Sequence, residues 1–218
     1  MKNTNMFEGK RIIDITAAIR QGIPVYPGDP EPVIEQICSI AKDGFALSAI
    51  FMGSHTGTHV DAPSHVLDDG ISVDMLVPGD LMGRAILLDM RCAGSCICAE
   101  HLDTAWKAIG PGNKIDVLLL KTDAASSIEG SDNLCLKEDI ATWIYNKKIN
   151  ILGVDAFSIE SKGELSLHRS LLSQGVNIVE CLDLSKVKEG IYTFICLPLK
   201  IVDCDAAPAR AILIDDQV

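Results

Sequence analysis

Eleven consecutive residues, His55-Thr-Gly-Thr-His59-Val-Asp61-Ala-Pro63-Ser-His65, constrain this chain more than any other stretch. They hold three of its five histidines and a carboxylate. A continuous helix suits them poorly: Gly57, the β-branched Thr56, Thr58 and Val60, and then Pro63 all oppose one. In an extended chain, side chains repeat every two residues. Positions 55, 59, 61 and 65 are all odd, so the spacing predicts that His55, His59, Asp61 and His65 project to one side. Gly57 falls between them and leaves room for an ion. Neutral imidazoles with a carboxylate are a ligand set that zinc or manganese accepts. The competing reading is a histidine-rich surface loop.

Two distant residues bear on this choice. Glu180 lies within Val176-Asn-Ile-Val-Glu180-Cys-Leu182, an apolar run in which an isolated carboxylate is costly and needs a cation or a proton. His168 falls where Ser166 is placed to cap a short helix from about Leu167 and Gly175 to end it. Spacing alone does not join either residue to the histidine stretch. The Pro24-Val-Tyr26-Pro27-Gly-Asp29-Pro30 segment is too proline-rich for regular structure, and it reads as a stiff pocket wall or an ordinary connection. His101, among charged neighbours, reads as a solvated surface histidine.

The remaining pattern predicts an α/β chain. Strand-type runs occur at 11–16, 84–90, 115–121, 149–154, 176–182, 191–202 and 209–214. Residues 33–40 and 45–52 read as a hairpin turned at Lys42-Asp43-Gly44. Helical spacing marks 99–109 and 136–147. Strand, helix, strand in that order predicts a right-handed parallel crossover. With 218 residues, the chain reads as one domain, 1–218.

A net charge of −11 without a Lys/Arg cluster argues against nucleic acid or an anionic membrane surface as partner. No apolar run reaches membrane-spanning length, and the first ten residues carry no signal-peptide pattern, so a cytoplasmic location is the expectation. The eight cysteines include no CxxC pair. In that compartment they read as reduced, structural thiols, although Cys92, Cys96 and Cys98 are close enough to suggest a second metal site.

The histidine stretch resembles the H-x-G-T-H-x-D-x-P-x-H signature of the cyclase family of metal-dependent hydrolases, which includes bacterial kynurenine formamidases and isatin hydrolases. Every fixed position is present. The resemblance extends to residues 24–29, to Gly153-Val-Asp155-Ala-Phe-Ser158, to His168 and Glu180 twelve apart, and to Pro208-Ala-Arg210-Ala. It implies a single mixed α/β domain with a barrel-like core and flanking helices. It also implies one or two divalent ions, zinc or manganese: His55, His59 and Asp61 on one, His168 and Glu180 contributing to a second, with Asp61 and Glu180 bridging. His65 matches the family's general acid/base, and Tyr26 a substrate-binding aromatic. The implied activity is hydrolysis of a small amide, N-formylkynurenine to kynurenine and formate in tryptophan catabolism, or else isatin or another cyclic amide. A homodimer or larger homo-oligomer is implied as well. Tyr26 replaces the usual Trp of kynurenine formamidases, and Asp203 and Cys204 stand where small residues are commoner. A metal-binding protein without turnover is the alternative outside enzymes, and His65 speaks against it.

Overall fold

The computed structural model describes residues 9–93, 96–122, 134–160 and 163–215. The first eight residues, and with them most of the stretch read for a signal peptide, lie outside the described residues. Ten strands form, eight of them in one sheet of order β1-β10-β4-β8-β7-β6-β5-β9. β9 (Gly190–Pro198) also pairs with β10 (Ala206–Asp215), which closes seven of those strands into a barrel. β10 is long enough to serve two strands along its other edge. Its start pairs antiparallel with β4 (His59–Asp61), and its end with β1 (Arg11–Asp14).

The parallel part is β5 (Met82–Asp89), β6 (Val117–Lys121), β7 (Ile151–Val154) and β8 (Asn177–Glu180). Each pair is bridged by a helix: α2 (Ala99–Ile109), α3 (Asp139–Lys147) and α4 (Ser166–Ser173). These strands are apolar on both faces, as a sheet covered on both sides requires. Ala85, Leu87, Val117, Leu119 and Val179 point into the barrel with Phe194 and Leu213. Ile86, Leu88, Leu118, Leu120, Leu152 and Ile178 point outward onto Leu102, Ile140, Trp143 and Leu171 of the helices. Each fully buried Leu or Ile contributes roughly 1.5–3 kcal/mol. Alternation along β8 therefore puts Glu180 on the same outward face as Ile178, beneath α4. The strand register sets His59 opposite Glu180 and Asp61 opposite Ile178.

Several expectations need correction. The 33–52 hairpin, β2 (Val33–Cys38) and β3 (Leu47–Phe51), is joined by one helical turn, α1 (Ile40–Asp43), closed by Gly44 with a left-handed φ of 80°, and not by a tight turn. α3 begins three residues later than its spacing predicts, and β10 takes in Ala206, Ala207 and Pro208 from the expected loop. His101 is not a solvated surface histidine: it is half-buried, and its Nδ1 accepts the Cys98 backbone N–H at 3.3 Å, capping α2. Cys96 is not free either. Its segment pairs with that of Cys135 through the bridge Ile97–Leu136, which brings the two cysteines into a disulfide. Six cysteines remain free, and no metal-competent group among the described residues contains one. No described helix is long and apolar enough to cross a membrane.

Candidate metal centre

Only the middle of the histidine stretch is extended. His59–Asp61 forms β4, while residues 55–58 turn and Pro63–His65 coils into a 3-10 turn. The two outer histidines nevertheless converge on β4. Gly57 has a left-handed φ of 67°, and its carbonyl accepts the Nδ1–H of His59 at 2.8 Å. That bond leaves His59 Nε2 as the nitrogen free to bind. Thr58 points the other way, accepting the Ala17 N–H at 2.9 Å and donating to the Cys181 carbonyl at 2.6 Å.

His55, His59, Asp61, His168 and Glu180 meet at one point. Asp61 Oδ1 stands 3.1 Å from His55 Nδ1 and 3.3 Å from His59 Nε2; its Oδ2 stands 3.7 Å from His168 Nε2. Glu180 lies 3.5 Å from His59 Nε2 and 3.3 Å from His168 Nε2, while its Oε1 accepts the Ile159 N–H at 2.9 Å. Both carboxylates thus lie between two sets of imidazoles. His59, Asp61, His168 and Glu180 are buried; His55 and His65 are partly exposed toward a cavity. His65 packs 4.3 Å from the His55 ring and 5.9 Å from the His168 ring, centroid to centroid.

The donor set fits a divalent cation on the structure's own terms. Among the described residues, His59 Nε2 and both Asp61 oxygens are buried without a hydrogen-bond partner. Buried polar atoms are otherwise nearly always bonded, and leaving them unpaired costs about 1–3 kcal/mol each. His55, His59 and Asp61 bring their ligand atoms within 4.8 Å of one another, as do Asp61, His65 and His168.

The electrostatics record how closely carboxylates and imidazoles are packed. Burial disfavours ionised Asp61, yet the imidazoles of His55 and His59 hold its carboxyl well below the usual range. Burial likewise opposes charging of His168, and Glu180, Asp61 and Glu160 reverse it, raising its pKa to about 9. His59 is raised for the same reason. His65 differs: burial lowers its pKa, and the neighbouring imidazoles of His55 and His168 add to that lowering.

Two carboxylates that sequence reasoning missed complete the centre. Glu160 accepts the Leu167 and His168 N–H groups at 2.8 Å each and the His168 Nδ1–H at 2.7 Å. It therefore caps α4, a task the sequence assigned to Ser166, and directs His168 Nε2 at Asp61 and Glu180. Asp205 accepts from His55 Nε2 at 3.0 Å and from Ser54 Oγ at 3.0 Å, and lies 3.5 Å from His65 Nδ1. A carboxylate behind a ligating imidazole fixes its tautomer and orientation. Glu160 carries no capping signal because it lies six residues before α4. Asp205 stands in a loop whose other acid, Asp203, looks equally eligible.

Tyr26 lies on the wall of the cavity, about 290 Å³, which is also lined by Val25, Phe157, Leu165, His65 and His168. That volume is near the low end for small-molecule sites.

Comparison with known proteins identifies the chain's relatives. The Cyclase family pattern, described as putative cyclase, matches residues 13–161. A kynurenine formamidase of Erythrobacter litoralis is 31% identical over 211 residues, covering 94% of each chain. A solved potential metal-dependent hydrolase with cyclase activity is 32% identical, covers 96% of this chain and 100% of its own, and superposes with a TM-score of 0.79. Isatin hydrolase A from Labrenzia aggregata, 21% identical and covering 94% and 93% of the two chains, shares the fold with a TM-score of 0.82. With the ligand geometry, the barrel and these matches in agreement, the chain belongs to the cyclase family of metal-dependent hydrolases.

Proposed function

We propose that this chain is a metal-dependent amidohydrolase that cleaves the formyl C–N bond of an aryl formamide such as N-formylkynurenine. The observation that carries the reading is the buried imidazole–carboxylate cluster, with three unpartnered ligand atoms, beside a cavity walled by Tyr26 and Phe157. The choice of substrate class is supported by the similarity to a kynurenine formamidase across nearly the whole chain. In this reading His55, His59 and Asp61 would hold one divalent ion, and His168 and Glu180 would contribute to a second. Zinc is the first expectation and manganese the second. A divalent ion bound there would make water acidic enough to ionise near neutral pH and would polarise the carbonyl under attack.

The chain's own residues do the rest. Glu160 and Asp205 orient the His168 and His55 rings. His65, held neutral by burial, takes a proton from the attacking water and returns it to the leaving nitrogen. Addition of water to the formamide gives formate and the free aromatic amine. Tyr26 and Phe157 offer apolar surface to the aryl group. No nucleic acid or membrane enters the scheme, and the partner is a small amide.

A cyclic amide is the second reading, favoured by the fold shared with isatin hydrolase. Metal-analysed protein assayed with N-formylkynurenine, simple aryl formamides and isatin separates the two. Formate release from the aryl formamides is the expected result. Ring opening of isatin without formate release replaces the first reading with the second. Turnover of none of them leaves a metal-binding protein and overturns both.

A further inference from the structure

We infer that the Cys96–Cys135 disulfide is a thiol-exchange site, open to a neutral thiol and coupled to the metal centre through the start of α4. The bond ties the segment before α2 to the segment before α3. Both cysteines are half-buried, and Cys135 lines a cavity of about 390 Å³. Disulfides that solvent can reach are the ones that exchange. A thiolate bonds to Cys135 Sγ, the bond to Cys96 breaks, and Cys96 leaves as a thiolate that takes up the proton. With a dithiol, the second sulfur then displaces Cys135. Two electrons pass to the protein, and the dithiol closes into a cyclic disulfide. Glu138, Glu160 and Glu164 line the cavity with Arg169, and this excess of negative charge disfavours an anionic thiol. The two segments keep other ties when the sulfurs part. Ile97 N–H donates to the Cys135 carbonyl at 2.8 Å, Lys137 N–H donates to the Ile97 carbonyl at 2.9 Å, and Ile97 and Leu136 are buried.

Two features couple this site to the metal centre. First, Glu160 and Leu167 line the same cavity as Cys135. Leu134 and Leu136, on either side of Cys135, are buried in one core with Leu167 and Leu171 of α4. Glu160 is the carboxylate that holds His168 Nδ1 at 2.7 Å. A shift of the segment 134–136 therefore reaches the pair that aims His168 Nε2 at Asp61 and Glu180. Second, Glu164 and Leu165 line both this cavity and the one that Tyr26 walls beside the metal centre. They form a partition between the two, so a change on the disulfide side alters the wall of the other.

Thiol titration in denaturant should find six thiols in protein purified without reductant and eight after dithiothreitol. At equal thiolate concentration, neutral 2-mercaptoethanol should open the bond about tenfold faster than anionic glutathione. Zinc affinity, measured by chelator competition once the dithiol is removed without air, should fall about tenfold on opening. That is the lower end of the loss expected when a carboxylate behind a ligating imidazole is disturbed. Cys96→Ser/Cys135→Ser should bind zinc as reduced wild type does, keep the wild-type far-UV circular dichroism and ignore dithiothreitol. If that variant does not fold, reduced wild type carries the same measurement. Cys92→Ser, at an exposed free cysteine, should respond to dithiothreitol as wild type does. The coupling rests on the reading of the metal centre given above, whereas the thiol count does not. Eight thiols before treatment overturn the inference, and equal rates with the two monothiols overturn the neutral class. Equal zinc affinity in the open and closed forms overturns the coupling. Zinc bound by neither form overturns the reading of the centre and the coupling with it, while the thiol count still decides the exchange site.

Discussion

The metal centre and the β2–β3 hairpin, an arm beside the main sheet, are neighbours in sequence and opposites in composition. Phe51, 63% exposed, ends the arm; Asp61, fully buried, lies ten residues later at the centre of the ligand cluster. One region puts apolar side chains in water, and the other puts charged groups in the interior. Scattered exposed hydrophobes mean little, but a contiguous patch or a buried unpaired charge is informative. Each region carries a deficit, of burial in one and of hydrogen-bond pairing in the other. The hairpin leaves apolar side chains uncovered, and the cluster gathers carboxylates and imidazoles in a ligand set that suits a divalent cation. The two deficits predict different chemistry.

The largest expected effect separates the ligands from the proton carrier within the polar region. His65→Ala should reduce kcat by about 10²–10⁴-fold, the usual worth of a positioned acid/base, while metal content stays at the wild-type level. Single-turnover rates alongside elemental analysis check both halves. Loss of metal would place His65 among the ligands, and undiminished turnover would remove it from the chemistry. A smaller effect probes the boundary between the two regions. Asp205 bonds Ser54, just past the arm, and His55, the first residue of the cluster. Asp205→Ala should weaken metal binding by about 10–100-fold, as expected for a carboxylate behind a ligating imidazole. Chelator competition measures this.

Much of this was legible from residues alone. Three histidines and an acid within eleven residues already marked a metal site, and an acid inside an apolar strand already required a counter-charge. The alternation of β5 to β8 and the helices between them followed from apolar periodicity. What was not legible depends on contacts far apart in sequence. The stretch read as four side chains on one side of an extended segment, yet only β4 is extended; turns bring His55 and His65 back. Glu160 caps α4 from outside any local capping pattern, and the Cys96–Cys135 link follows from a bridge between segments 39 residues apart. The arm was read correctly as two strands, but strand patterning says nothing of whether a sheet covers them. Asp203 has a left-handed φ of 58°, which an Asp tolerates better than most residues.

The smallest expected effect is thermodynamic, and it distinguishes the two deficits by their response to pH. In the metal-free protein His168 has a pKa of about 9, against 6.5 for an ordinary histidine. A group raised in the folded state stabilises fully below the unfolded pKa, and that contribution is lost as pH rises through the folded one. Metal-free protein should therefore lose on the order of 3 kcal/mol of stability between about pH 6.5 and 9, seen as a falling Tm in the presence of chelator. Added zinc should act in the opposite sense over the same window. It replaces the protons on the imidazoles, so the Tm increment it confers should grow as pH rises. A flat metal-free profile would mean that the cluster is not held together by a proton in place of the ion. The arm offers the control. Its exposed side chains are apolar and carry no proton, so replacing Ile50 or Phe51 by Ala should leave the shape of this pH profile unchanged.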